Sequence, residues 1–281
     1  MLVTMAEMLN TAKKGNYAVA APNVWNEESI RACIKAAENC ESPVIINFFF
    51  QSKSEDPRQL MYDQVKYTRD WAMNTNVPVA LNLDHGKLFE HAVWAIRAGM
   101  TSVMVDRSSQ PFDENVAEVK RLVDIAHAVD VSVEAELGHV GSGSNYAVDG
   151  ISSLTEVSEA ADYVAKTGCD CLAVAIGTAH GAYSGTPHID FERLEAIGKV
   201  VEIPLVLHGG SGTGNDNLQR ASKSGINKIN LFTDLVVAGM ENLKSGIDGA
   251  RKIADAESLM FTGYREKLEF YMKLFGSAGQ A

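Results

Sequence analysis

Eight short apolar and β-branched segments recur along this chain, each followed by a longer stretch of helical character. Parallel strands that are covered on both faces give near-continuous apolar runs of this kind. The expected strands are Tyr17–Ala21, Val44–Phe48, Val79–Leu83, Ser102–Val105, Val131–Glu136, Leu172–Ile176, Leu205–Leu207 and Lys228–Leu231. The alternation predicts an α/β protein built as a (β/α)8 (TIM) barrel. A doubly wound open sheet shares the same pattern and is the alternative.

The stretches between the strands are amphipathic, which predicts helices. They are Glu27–Cys40, Phe89–Ala98, Asn115–Val129 and Val157–Lys166. Asn26 and Thr155 have the composition of helix starts, and Gly99, Gly168 and Gly225 that of helix ends. Pro43, Pro78 and Pro204 each stand directly before a strand, where a missing N–H does no harm.

Length and charge exclude several classes of protein. Barrels of this type routinely use about 250 residues as one domain, so residues 1–281 are expected to form a single domain. The net charge of −11 argues against a nucleic-acid partner, which requires a basic face. No segment approaches the roughly 18 consecutive apolar residues of a membrane span. The four cysteines contain no C-x-x-C pair and read as reduced thiols, so a soluble cytoplasmic protein without a membrane partner is expected.

Histidines follow three of the expected strands at their C-terminal ends, where barrel enzymes assemble their active sites. His85 follows strand three, His180 strand six and His208 strand seven. Each histidine taken alone is best interpreted as a core or loop residue. A catalytic zinc, however, takes three such ligands and leaves one position open. With the carboxylates of Asp84 and Glu136 beside them, the three histidines predict a zinc site. His91, His127 and His188 are expected to be packing or surface residues, and His139 is left undecided.

Glycine-rich and hydroxyl-bearing segments follow the last two strands. They are Gly209-Gly210-Ser211-Gly212 and Asn230-x-x-Thr233. Glycines allow backbone N–H groups to approach an anion, and barrels often bind phosphate at this position. The pattern favours a phosphate site over ordinary turns.

These residues lie in segments that resemble the class II fructose- and tagatose-bisphosphate aldolases over essentially the whole chain. The shared segments are Tyr-Ala-Val near the start, Leu-Asp84-His85, Val-Glu-Ala-Glu136-Leu-Gly, Ala-Ile-Gly-Thr-Ala-His180-Gly181, Leu-Val-Leu-His208-Gly-Gly-Ser-Gly and Lys-Ile-Asn230-x-x-Thr233. So many segments in the same order are a specific signature.

The resemblance implies a role for each matching residue. Zinc would be bound by His85, His180 and His208, with Glu136 close to the metal as an alternative ligand. Asp84 would be the acid/base at the hydroxyl of the scissile bond. The phosphate on the ketone end would be held by Gly181, Gly209, Ser211, Asn230 and Thr233. The activity implied is the reversible cleavage of a ketose 1-phosphate or bisphosphate to dihydroxyacetone phosphate and an aldehyde, by a homodimer or homotetramer.

The chain departs from the family pattern at four places. The loop after strand five lacks the usual acids, and His139, Tyr146 and Asp149 are the alternatives for moving the proton. Ser184 replaces a common lysine. At the end of strand two, Asn47-Phe48-Phe49-Phe50-Gln51-Ser52 replaces the usual small polar loop, and after strand four Asp106-Arg107-Ser108-Ser109 replaces the more usual Asp-x-Ser-His. The candidates for contacts to the distal end of the substrate are Asn23, Asn47 and Arg107. We therefore expect a ketose 1-phosphate whose other end need not be phosphorylated.

Three other readings compete with a zinc aldolase. A zinc hydrolase on the same barrel needs no phosphate donors, and a non-catalytic sugar-phosphate binder would fit the missing loop acids. A Schiff-base aldolase needs a desolvated lysine. Lys228, expected to begin strand eight at the end away from the site, is a weak candidate for that lysine. Whether Na⁺ or K⁺ assists is left open.

Overall fold

A computed structural model describes residues 1–143, 154–185 and 187–281. Within these residues, eight parallel strands close into a barrel in which each strand pairs with the next and β1 pairs with β8. The strands are β1 (Val19–Val24), β2 (Val44–Phe48), β3 (Val79–Gly86), β4 (Ser102–Val105), β5 (Ser132–Leu137), β6 (Cys171–Val174), β7 (Leu205–Leu207) and β8 (Ile226–Leu231). The barrel expected from the sequence is confirmed, and the open sheet is not.

Helices surround this barrel. They are α1 (Met5–Gly15), α2 (Glu27–Cys40), α3 (Pro57–Asn74), α4 (Phe89–Ala98), α5 (Phe112–His127), α6 (Val157–Thr167), α7 (Phe191–Val200), α8 (Asn215–Lys223), α9 (Thr233–Gly246) and α10 (Ile253–Phe275). A 3₁₀ turn at Ile247–Gly249 follows α9. In the described part of the chain, no helix combines the length and apolar character needed to cross a membrane.

The first helix closes the N-terminal end of the barrel. Its apolar face, which includes Met5 and Leu9, is buried against inward-facing strand residues such as Ile45 and Ala80. The segment before it pairs with the start of β3, where Val3 N donates to Val79 O at 3.0 Å. The opposite, C-terminal end of the barrel is therefore the end available for a site.

Each predicted strand and helix is present with bounds that agree to within about three residues, and two of the differences have a visible local cause. Tyr17 N–H donates to Ala12 O, so Tyr17 belongs to the turn that ends α1 and β1 begins at Val19. Asn26 caps α2 as expected, since its side chain accepts from Ser29 N. The prediction that Thr155 starts a helix is wrong. Its hydroxyl donates to Leu137 O and accepts from Ala175 N, which joins β5 to β6, and α6 is preceded by Glu156.

Candidate active site

The inward-facing side chains change from apolar to polar along the barrel axis. Side chains of a strand alternate between its two faces, so every second residue points inward. In β3 the inward-facing residues are Ala80, Asn82 and Asp84. In β8 they include Lys228 and Asn230. All the polar members are buried. Buried polar groups require partners, and here they bind one another to form a polar layer beneath the C-terminal end.

Asp84 and His85 are adjacent in sequence, yet both face the site. A regular strand would direct them to opposite sides. The register of β3 with β4 shifts between Leu83 and Gly86, and His85 takes a left-handed φ of 50°. Such a conformation costs a non-glycine residue on the order of 1–3 kcal/mol, and strain of this kind concentrates at functional sites. The irregularity brings both residues of this pair into the site.

The structure brings the three predicted histidines together. The ring centroids lie 4.8 Å apart for His85 and His180, 4.5 Å for His85 and His208, and 5.8 Å for His180 and His208. One ligand atom from each lies within 4.8 Å of the others. Three imidazoles at this separation are a donor set that suits a catalytic zinc.

Three buried polar atoms beside these rings lack hydrogen-bond partners. They are Nε2 of His85, Nδ1 of His208 and Oε2 of Glu136. Nδ1 of His208 lies 2.9 Å from that Glu136 oxygen, although the two atoms do not form a hydrogen bond of acceptable geometry. Unpaired buried polar atoms are rare in folded proteins. Because all three belong to residues that could bind a metal, the donor set fits a zinc ion.

Two of the histidines bind a carboxylate through their other nitrogen. Nδ1 of His85 lies 2.8 Å from Oδ2 of Asp106, and Nε2 of His208 lies 2.7 Å from Oε1 of Glu134. Such partners fix the ring and the tautomer of a metal-binding histidine. The nitrogens that could bind a metal are then Nε2 of His85 and Nδ1 of His208.

Glu134 is in turn paired with Lys228, and this corrects the expectation for that lysine. Lys228 is the third residue of β8, not the first, and its ammonium lies 2.7 Å from Oε2 of Glu134. Both side chains are fully buried. An ammonium held by a buried carboxylate is not the free amine that a Schiff base requires, so the structure gives the Schiff-base reading no support.

The pKa values of the histidines differ because their neighbours differ. Burial, together with the nearby His85 and His208, lowers the pKa of His180 to about 4. Burial would also lower the pKa of His208, but the carboxylates of Glu134 and Glu136 raise it to about 10. His180 is therefore neutral at pH 7 in the metal-free protein, whereas a metal must displace a proton from His208.

Asp84 is held as an ionised carboxylate. Asn23 Nδ2 donates to its Oδ2 at 2.8 Å, and Asn230 Nδ2 donates to its Oδ1 at 2.9 Å. Burial would raise the pKa of Asp84, but the charges of the site histidines and Lys228 and the hydrogen bond from Asn23 hold it well below its ordinary range. A fixed, ionised carboxylate beside a metal site is suited to accept a proton.

All five predicted phosphate-binding residues line one small cavity of about 50 Å³, together with Asp84 and His180. They are Gly181, Gly209, Ser211, Asn230 and Thr233. Gly209 has a φ of 68°, and a Cβ there would lie 2.3 Å from Ala179 O, so the loop requires glycine. Helix α9 begins at Thr233, so the positive end of its dipole lies at the cavity. The cavity thus combines anion-binding features with Asp84.

The three residues expected to contact the distal end of the substrate do not all lie at the cavity. Asn47 is fully buried, donating to Ala21 O and accepting from Asn82, so its polar atoms are already used inside the barrel. The guanidinium of Arg107 binds Glu118 at 2.5 Å and the carbonyl oxygens of Lys87 and Asp106. Asn23 is the one of these three that lines the cavity.

The substitutes considered for the loop acids are only partly described. Nδ1 of His139 lies 2.9 Å from Ser108 Oγ, and Ser108 also donates to Asp106, the partner of His85. Tyr146 and Asp149 lie outside the described residues. His139 is therefore connected to the metal site through two side chains.

Two residues of the site were missed by sequence reasoning. Asp106 was noted only as part of a changed segment, and Glu134 only as part of a shared one. Glu134 could have been recognised because it lies two residues before Glu136 and therefore faces the same way. A larger groove of about 420 Å³ lies outside the barrel between α2, α3 and α10, but it contains none of these histidines or Asp84. The chemistry places the candidate site in the small cavity.

Comparison with known proteins decides the family. Residues 3–280 match the family described as fructose-bisphosphate aldolase class-II. The chain belongs to this family. A fructose-bisphosphate aldolase from Geobacillus stearothermophilus is 39% identical, with 100% of this chain and 99% of that protein covered. A protein of Escherichia coli K12 named YdjI is also 39% identical, with both chains fully covered.

Solved structures agree with this membership. The crystal structure of the YdjI aldolase from Escherichia coli K12 matches with a TM-score of 0.88 and 36% identity, over 100% of both chains. As a member of the class II aldolase family, the chain is an aldolase, a carbon–carbon lyase. The metal and the substrate are matters for proposal.

Proposed function

We propose that this class II aldolase is zinc-dependent and reversibly cleaves a ketose 1-phosphate or ketose bisphosphate to dihydroxyacetone phosphate and an aldehyde. The observation that carries the proposal is the convergence of His85, His180 and His208 beside Asp84 and a cavity suited to an anion. Zinc held by the three histidines would act as a Lewis acid on the ketone carbonyl. We further propose that Glu136 serves as the alternative ligand, because its Oε2 lacks a hydrogen bond and lies beside His208.

Asp84 carries the proton transfer of the cleavage step. Its carboxylate takes the proton from the hydroxyl beyond the scissile carbon–carbon bond as that bond breaks. The electron pair remains on the ketone fragment, and the aldehyde leaves. Asn23 and Asn230 keep both carboxylate oxygens in place for this transfer. A general base positioned in this way contributes about 10²–10⁴-fold to the rate.

The phosphate of the ketone fragment binds at the ends of β7 and β8. Glycine backbone N–H groups, the Thr233 hydroxyl and the N-terminus of α9 are the donors available there. Ser211 is already an acceptor, because its Oγ receives the N–H groups of Phe232 and Asp234. Its hydroxyl hydrogen remains available to an anion. A hydrolase would not need this set of donors, so the set supports the aldolase over the zinc hydrolase.

The test follows proton exchange in the ketone fragment alone. Dihydroxyacetone phosphate is incubated with the protein in deuterated water, with and without a chelator, and loss of the carbon-bound proton is followed by NMR. We expect exchange that the chelator abolishes and added zinc restores. Exchange that persists after the metal has been removed, or no exchange by the zinc-loaded protein, would contradict the proposal. We also propose that residues 1–281 act as one catalytic domain and assemble as a homodimer or homotetramer.

A further inference from the structure

Three aromatic side chains lie together just after the C-terminal ends of neighbouring strands, and one of them, Phe232, lines the cavity of the site. Phe232 follows β8, Trp25 follows β1 and Phe49 follows β2, and these three strands are neighbours in the barrel. The ring of Phe232 lies 5.9 Å from that of Trp25 and 6.2 Å from that of Phe49, both in edge-to-face geometry. We call these three residues the aromatic arc.

Phe48 and Phe50, the sequence neighbours of Phe49, pack against other residues, whereas Phe49 is partly exposed. In the run of three phenylalanines, Phe48 is 2% exposed and belongs to the core, while Phe50 stacks on His91 with ring centroids 3.8 Å apart. Phe49 is 38% exposed and Phe232 is 39% exposed. Because Phe232 also lines the cavity, these partly exposed rings are accessible to a ligand that extends from it.

The arc continues directly from the catalytic cavity. Phe232 lines that cavity beside Asp84 and Thr233. The cavity holds about 50 Å³, whereas pockets for small molecules usually measure about 300–1,000 Å³. A ketose phosphate bound at Asp84 must therefore extend out of the cavity, whose lining includes Phe232, the ring that contacts Phe49.

The electrostatics of this border disfavour a second phosphate. No lysine or arginine is among the residues that line the cavity in the described part of the chain. Arg107, the cation considered for this role, is engaged by Glu118 and by two backbone carbonyls. The faces of aromatic rings carry negative charge density, which repels anions, and they pack well against C–H groups.

We propose that Phe49 and Phe232 bind the aldehyde half of the substrate and select an uncharged aldehyde with an apolar end over a phosphorylated one. This inference rests on the proposed function, because it assigns the second product of the same cleavage. It names a substrate class that the family membership leaves open.

The test uses three aldehydes that differ only at their third carbon: lactaldehyde with a methyl group, glyceraldehyde with a hydroxymethyl group, and glyceraldehyde 3-phosphate. Each is condensed with dihydroxyacetone phosphate by the zinc-loaded protein, and kcat/KM is measured for the aldehyde. We expect the order lactaldehyde, glyceraldehyde, glyceraldehyde 3-phosphate, with a difference on the order of tenfold or more between the first and the last, because aromatic rings accommodate a methyl group and offer no partner to a phosphate dianion.

Two variants test the residues, and a third serves as the control. Phe49→Ser and Phe232→Ser should each reduce the ratio of kcat/KM for lactaldehyde to that for glyceraldehyde 3-phosphate by about tenfold. Phe232 is the residue before α9, where serine is a favoured cap, so this variant is expected to fold. Phe270→Ser removes a phenylalanine of similar exposure, 40%, from α10 and should leave the ratio unchanged. A ratio measured on one preparation is unaffected by the fraction of folded protein.

The outcomes separate this inference from the function on which it rests. If the wild-type protein exchanges the proton of dihydroxyacetone phosphate but prefers glyceraldehyde 3-phosphate, the role of the arc is wrong and the aldolase proposal stands. The same holds if neither Phe49→Ser nor Phe232→Ser changes the ratio. If the wild-type protein shows no exchange, the proposed function itself fails.

Discussion

Asp84 lies between the histidine cluster and the glycine-rich loops of the site. It lines the cavity with the anion-binding loops, and its Oδ1 lies 3.9 Å from Nε2 of His85. Two amides hold it from β1 and β8. This position next to both the proposed metal ligands and the proposed phosphate donors is what a proton acceptor at the scissile bond requires.

Replacing Asp84 by asparagine should therefore remove catalysis while the metal site stays intact. We expect Asp84→Asn to lower kcat for cleavage of a ketose 1-phosphate by about 10²–10⁴-fold. Zinc content, measured by elemental analysis, should equal that of the wild-type protein because the three histidines are unchanged. A decrease in kcat of less than tenfold would argue that another group takes the proton.

Lys228 is a buried charge that contacts the site through Glu134. Its ammonium and the carboxylate of Glu134 are fully buried, and Glu134 holds His208. Breaking a buried ion pair at one partner leaves an uncompensated charge and typically costs 3–5 kcal/mol. Lys228→Met should lower the free energy of unfolding by about that amount, measured by urea denaturation.

A second variant distinguishes charge from packing in this pair. Glu134→Gln combined with Lys228→Met removes both charges and keeps an acceptor for His208. We expect the double variant to recover most of the stability that the single variant loses. Equal losses in the single and double variants would mean that the lysine contributes through its packed methylene groups.

At the scale of elements, the loop after β2 packs on α4 through a histidine. His91 stacks on Phe50 and lies beside Trp94, and its Nδ1 is buried without a hydrogen-bond partner. Burial lowers the pKa of His91 below its ordinary value of 6.5. The residue was expected from the sequence to be a packing or surface histidine, and the structure shows that it packs.

This packing predicts how stability depends on pH. Because the pKa of His91 is lower in the folded state, the unfolded chain binds a proton more readily as pH falls below 6.5. The wild-type protein should therefore lose stability below that pH, by at most about 1.4 kcal/mol per pH unit from this residue. His91→Phe should lose less over the same range. Denaturant titrations of both proteins with chelator present measure the difference, and parallel pH profiles would contradict it.

The strands and helices were largely predictable from the sequence, and the errors have identifiable causes. All eight strands were predicted because a buried parallel strand has a characteristic composition, and α2 and α4 were predicted with their observed ends. Thr155 was misassigned because its hydroxyl satisfies two strands, a tertiary contact that no local pattern reveals. Lys228 was misplaced because β8 begins two residues earlier, at Ile226, which pairs with Leu205.

The candidate site, too, could be predicted only in part from the sequence. Asp84, His85 and His208 lie at the ends of β3 and β7, and His180 lies in the loop after β6, so strand order predicts that they share one end of the barrel. The partnership of His85 with Asp106 depends on the bulge in β3 and on the left-handed φ of His85. The aromatic arc depends on β2 and β8 flanking β1 in a closed barrel. Contacts of that kind require the structure.

In the molecule as a whole, the proposed metal site lies at one end of the barrel, apart from the apolar core. Apolar residues fill the strand–helix layer, and α1 covers the opposite end. A chain of this length can bury most of its apolar surface without a metal. The fold should therefore persist when zinc is removed.

Removing the metal should lower thermal stability without unfolding the protein. A ligand that binds only the folded state at 100 times its Kd adds about 2.7 kcal/mol. We expect chelation to lower the Tm while the far-ultraviolet circular dichroism at 25 °C stays unchanged. His180→Ala should have a Tm that responds much less to zinc. Loss of helical signal on chelation would show that the metal holds the fold together.

We propose that His85, His180 and His208 together hold the metal on which the chemistry depends. The most direct test titrates zinc into chelator-treated protein and measures bound zinc and proton exchange of dihydroxyacetone phosphate in the same samples. We predict that exchange rises in proportion to bound zinc and stops at about one ion per chain, and that His180→Ala neither retains this zinc nor recovers exchange. Full zinc binding and exchange in His180→Ala, or exchange by wild-type protein without bound zinc, would contradict the account.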